Sequence, residues 1–113
     1  MTVVNDGKNR IRDLLSADIN ISALGTSATA ETVGDTDLGA EVVASQATPT
    51  QTVGNKIVNS KHILLSTVGN GTTFKEFGVY VNGGATLFNR VTFPDFAKTV
   101  SLELHSTTVI RIN

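Results

Sequence analysis

From residue 51 to Asn113, turn signals recur about every ten residues and separate short runs rich in β-branched side chains. That rhythm constrains the fold more than any other feature. It matches the strand spacing of an antiparallel sheet pair, a sandwich or jelly roll. Gly69-Asn70-Gly71 reads as a hairpin turn, because Asn-Gly tolerates positive φ. Phe74 to Val81 reads as the strand after it, Asn82-Gly83-Gly84 as a second hairpin turn, and Ala85 to Phe93 as the returning strand. Pro94-Asp95 reads as its end, and Thr99 to Leu104 and Thr108 to Ile112 as closing strands, with His105 breaking the alternation between them. Ile57 to Ser60 and Ile63 to Val68 are two further candidates, separated by a weak break around Asn59-Ser60-Lys61. The terminal run through Ile112 either finishes a sheet or offers its edge to a neighbour.

Composition agrees. Sixteen Thr, thirteen Val and seven Ile supply stiff, strand-favouring side chains, and ten Gly and nine Asn supply turns. The reading is mostly β: an antiparallel β-sandwich or jelly-roll-like domain with one short N-terminal helix. At 113 residues it is one domain, 1–113. The absence of cysteine excludes disulfides, thiolate zinc and a cysteine nucleophile. A net charge of -1 supplies no cationic face for nucleic acid or anionic lipid. No apolar run is long enough to span a membrane, and the charges spread through Met1 to Asn20 leave no apolar signal core. The absence of Trp and only 5% aromatic residues argue against a stacking platform for bases or sugars.

The N-terminal 1–18 is the helical part. Val4, Ile11, Leu14 and Leu15 fall on one stripe, and Asn5 or Asp6 is placed to cap its start. A helix this short persists only when packed. Two readings stay open: docking on the domain's own sheet, or an arm packed on a neighbouring subunit through Val4, Ile11, Leu14 and Leu15. Ile19 to Leu24 alternates as a strand. Residues 25–39 form a long polar loop, and loops of that length are usually functional or interface-forming. Glu41 to Ala44 resumes an apolar run, and Ala47-Thr48-Pro49-Thr50 is a turn or linker.

Candidate chemistry is thin. His62 and His105 have no ligand-spaced partner, so no metal site is expected. Asp35, Asp37, Gly39 and Glu41 suggest a calcium loop but lack its glycine and terminal glutamate. Gly25-Thr26-Ser27 with Gly34 suggests a phosphate cradle, but no Walker lysine follows. Serines lack a nucleophile elbow. Glu76, Asp95 and Glu103 are the carboxylates that would have to meet in space for glycoside hydrolysis, and nothing in their spacing requires it. The aromatics Phe74, Phe77, Tyr80, Phe88, Phe93 and Phe96 read as sheet core, or alternatively as a subunit seam. No catalytic residue and no cofactor are expected.

Two stretches resemble small structural proteins of tailed phages and related viruses, chiefly tail-fibre and baseplate-associated families. One is Ala23 to Ala30 (ALGTSATA) followed by Asp35 to Glu41 (DTDLGAE). The other is Phe74 to Tyr80 (FKEFGVY) followed by Leu87 to Phe93 (LFNRVTF). Asp6-Gly7-Lys8-Asn9 before Ile11 to Leu15 is similar to their amphipathic opening. The resemblance implies a non-enzymatic β-sandwich virion component assembled as a symmetric oligomer, and does not say which part of the virion. The expected location, after synthesis in the host cytoplasm, is the tail more than the capsid surface. The expected partners are further copies of the chain, as a homo-oligomer (a trimer or other symmetric ring), and other virion proteins, with neither nucleic acid nor membrane, in keeping with the charge balance. A capsid decoration (head-stabilising) protein is the alternative, and a carbohydrate-binding domain a remote one.

Overall fold

The central strand, Thr73–Val81, is buried along most of its length on both faces, and this double burial organises the molecule. A computed structural model describes residues 1–113. Helix α1 (Asn5–Asp18) leads into β1 (Ile19–Gly25), and a long loop and a 3₁₀ turn (Val43–Ser45) lead to β2 (Thr50–Gly54). β3 (Ile57–Leu64), β4 (Thr73–Val81), β5 (Thr86–Ala97) and β6 (Leu104–Arg111) follow. The strands form two three-stranded antiparallel sheets. Sheet A has the order β1-β4-β5, and sheet B the order β2-β3-β6. The architecture is β-sandwich-like with one N-terminal helix, as the strand rhythm anticipates.

Alternation on β4 assigns its two faces. Phe77, Val79 and Val81 join Ile19 and Leu24 of β1 against Val58 and Leu64 of β3, forming the core between the sheets. Tyr80 turns the other way and packs with Ala23 and Leu38 under the long loop. Gly78 lies on that second face, where a Cβ would come within 2.7 Å of Leu38 Cδ2 and 3.1 Å of the Asn89 carbonyl, so a side chain there would push Leu38 and its loop outward. The molecule therefore has three layers: sheet B, sheet A and the loop. It is elongated, 50 × 29 × 24 Å, and its radius of gyration of 14.9 Å exceeds the value of about 13 Å expected for a compact chain of this length.

Several local expectations need correction. β3 runs unbroken through Asn59-Ser60-Lys61, because Ser60 and His62 face inward and register is kept on both sides. Gly69 and Gly71 adopt positive φ (73° and 83°), but their turn carries the chain from sheet B to sheet A and closes no hairpin. β5 continues past Pro94 to Ala97, because Pro94 falls where the β4–β5 register shifts on an edge strand and its missing N–H is not needed. His105 makes no bulge, and β6 is regular from end to end. Residues 99–103 form a turn instead of a strand. Neither Asn5 nor Asp6 caps α1: its N-cap is Val4, without a side-chain bond, and Asp6 lies in the first turn, where it complements the helix dipole. The Asn82-Gly83-Gly84 hairpin forms as read, with φ of 57°, 66° and 87°.

Candidate functional site

Glu76 is the one charged residue that alternation on β4 sends beneath the long loop, and it is fully buried there. Its Oε1 accepts from the Gly39 amide (2.7 Å) and from Arg90 Nε on β5 (2.8 Å). Its Oε2 accepts from the amides of Ala40 (2.8 Å) and Ser27 (3.0 Å). Burial opposes ionisation, but Arg90 and the three amides outweigh it and hold the carboxyl below its ordinary value. Arg90 continues the network, donating to Asp35 Oδ2 (3.1 Å) and to the Thr29 carbonyl (2.7 Å). Asp35 also accepts from the Thr32 amide, the largest cause of its lowered pKa. At the loop's outer rim, Thr92 donates to Glu31 at 2.7 Å and lowers that carboxyl as well. The packing is tight: a Cβ on Gly25 would meet Glu76 Oε2 and the Ala40 carbonyl.

This geometry answers the loop readings. The amides of Ser27, Gly39 and Ala40 do cradle an anion, but the anion is the chain's own Glu76. The calcium candidates split. Asp35 turns to Arg90 and Thr32, while Asp37 and Glu41 line one small pocket beside Tyr80, where Glu41 accepts from Gln46. Of the paired-carboxylate candidates, Glu76 lies under the loop, Asp95 lies beside Lys75 (3.9 Å), and Glu103 contacts His105 near β6 in the other sheet. The aromatic set splits: Phe74, Phe77 and Tyr80 are buried, Phe93 packs against the core, and Phe88 is exposed. Phe88 lines a shallow depression of about 380 Å³ together with Val33, Leu87 and Arg90.

Two further buried polar groups escape the sequence reading. His62 meets Ser22 of β1 through Nδ1, bridging the sheets, and its ring lies edge-on to Phe77 at 5.6 Å. Burial holds its pKa down at about 4. Lys98 is buried just after β5 and donates to the Ser66 carbonyl (3.1 Å), Asn70 Oδ1 (3.0 Å) and the Thr99 carbonyl (3.1 Å). All three ammonium donors are used.

The helix carries the assembly candidates. Its polar side grips the β2–β3 hairpin: Arg12 donates to the Gly54 carbonyl (2.7 Å), and Asn9 Oδ1 accepts from the Lys56 amide (2.8 Å). Leu15 packs against the core between the sheets. Val4, Ile11 and Leu14 do not follow it inward and stay 63%, 45% and 54% exposed. Ile11, Leu14, Leu15 and Ala17 line an open apolar groove of about 540 Å³. The structure thus divides the four residues: Leu15 anchors the helix, and Val4, Ile11 and Leu14 face outward.

Fold and site together define a small two-sheet β protein with an internally neutralised loop and an outward-facing apolar helix side. The chain matches no protein-family model, no curated protein and no solved structure. No helix is long and apolar enough to cross a membrane.

Proposed function

We propose that this chain is a non-enzymatic virion structural protein, a tail, fibre or baseplate component that acts through contacts with its own copies and with other virion proteins. The observation that carries this reading is the division of α1. Leu15 and the polar residues hold the helix to its domain, while Ile11 and Leu14 remain uncovered. Exposed apolar residues grouped beside a groove mark interaction surfaces in soluble proteins. The sequence resemblance supplies the virion context. The low charged fraction, 17%, suits burial between subunits, since interface cores are depleted in charge.

The test pairs two measurements. Ile11→Glu with Leu14→Glu alters exposed positions only, so the fold should keep its circular dichroism spectrum and its Tm within about 2 °C. Incorporation into particles should be lost. Immunogold labelling of virions carrying the unaltered protein then locates it, and label at the tail or its tip is the expected outcome. Label over the head would replace the tail assignment with capsid decoration. Normal incorporation of the double variant would remove α1 from the assembly surface.

A further inference from the structure

The two sheets have four edges, and three of them are blunted. β1 is covered by the segment after the long loop, through bridges Ser22↔Ala47 and Gly25↔Glu41. β5 carries Pro94 and two register shifts. β2 is five residues long, and α1 leans on its end through Arg12. Each is a known device against edge pairing. β6 has none of them: it is eight residues long, without proline, in unbroken register with β3.

The ladder shows which backbone groups β6 leaves free. The Ile112 amide donates to the Lys56 carbonyl at 2.8 Å, in line with the register Ile57↔Arg111. Hydrogen-bonded pairs alternate along an antiparallel ladder. Leu104, Ser106, Thr108 and Ile110 therefore bond to β3, and the N–H and C=O groups of His105, Thr107, Val109 and Arg111 point to the open edge. The side chains of those same four residues, and of Glu103, lie on the exposed face of the sheet.

We infer that β6 pairs antiparallel with β6 of a second copy about a two-fold axis at Thr107, joining the two B sheets into one six-stranded sheet. Charge selects the partner and the register. With the axis at Thr107, Glu103 stands opposite Arg111 of the second copy, twice by symmetry, and Leu104 opposite Ile110. An axis at Thr108 sets Arg111 opposite His105 and an axis at Val109 sets it opposite Thr107, so neither register forms the two ion pairs. Opposite charges directly across a strand pair stabilise it and like charges oppose it. The interface is isologous, so it closes at two copies and does not propagate as a fibre.

This deepens the assembly reading but rests on it only in that copies of the chain meet. Purified protein tests it without particles, so its failure is distinct from failure of the virion assignment. Sedimentation equilibrium on the full chain should show a mass that doubles with concentration. Because the chain has no cysteine, single cysteines report the register. Across the axis, Thr107→Cys places the Cα atoms about 5.5 Å apart, within disulfide range. Val109→Cys places them about 14 Å apart, four residues along the strand and one strand across. Mild oxidation should cross-link the first and spare the second. Arg111→Glu should weaken association about tenfold, and adding Glu103→Arg should restore it. A monomer at all concentrations, a trimer or larger ring, cross-linking of Val109→Cys as fast as Thr107→Cys, or indifference to Arg111→Glu would each overturn the pairing.

Discussion

On the loop side of β4, Glu76 gives its two oxygens to four donors. On the opposite side, in and beside the space between the sheets, His62 Nε2, Ser60 Oγ and both amide atoms of Gln51 are buried without a protein partner. Both regions place polar groups where apolar ones would pack. The difference lies in what those groups hold. Glu76 ties three distant loop amides and Arg90 to one strand, so the loop's conformation and sheet A's register depend on each other. Gln51 and Ser60, paired across β2 and β3, tie nothing together. A buried polar group stabilises a fold when its partners are present and destabilises it when they are missing.

The largest effect should come from breaking the satisfied side. Glu76→Ala leaves Arg90 without its closest carboxylate and orphans three amides, a loss of about 3 kcal/mol. Its urea midpoint should fall, and residues 26–42 should become the first site of proteolysis. A midpoint equal to that of the unaltered protein would erase the distinction between the two regions.

The second effect is a pH dependence, and the two regions separate by window. His62 has its pKa lowered from 6.5 to about 4, so the unfolded chain binds its proton first. The stability that His62 contributes as a neutral group is whole above pH 6.5 and declines as pH falls towards 4. The loss is about 2 kcal/mol after allowance for solvent screening. Glu76 is lowered from 4.5, so its contribution is whole above that value and declines only below it. Urea titrations between pH 7 and 5 should therefore report His62, and His62→Gln should flatten the slope in that interval. An unchanged slope would mean that His62 protonates freely in the folded protein.

The smallest effect comes from the unpartnered side. Ser60→Ala removes a hydroxyl with no protein partner, and stability should stay level or rise by up to about 1 kcal/mol. A loss above 1 kcal/mol in thermal unfolding would show that Ser60 is bonded after all, and the contrast with Glu76 would narrow.

The same contrast explains what could be read in advance. β4, the Asn82-Gly83-Gly84 hairpin and the N-terminal helix follow from local rules, since apolar spacing and turn chemistry act over a few residues. β3 reads as broken because the sandwich interior at Ser60 and His62 is polar, where a pattern-based reading wants apolar residues. Glu76 gives a faint signal, a lone carboxylate beside Phe77 in a strand otherwise buried on both faces. Its pairing with Arg90 depends on the β4–β5 register, and its amide partners depend on the path of a loop with no periodicity. Lys98 shows no signal, because its three acceptors come from two loops that only the crossover between the sheets brings together. The stripe of Val4, Ile11, Leu14 and Leu15 is legible as a stripe. That only Leu15 turns inward goes with the hold of Arg12 and Asn9 on the β2–β3 hairpin, a contact far away in the chain.

The strand order also sets a timetable. β1 pairs with β4, Ile19 opposite Val81 and Gly25 opposite Glu76. A ribosome delivers the first strand long before the strand it needs. While β2 and β3 emerge and close their hairpin, Ile19 to Gly25 waits as an apolar segment with no sheet to join. Such distant pairings slow folding into the range of milliseconds to seconds and leave strand edges open to aggregation. For this chain the vulnerable moment is set by the order of synthesis more than by the stability of the finished protein, and slower translation after residue 60 would lengthen it.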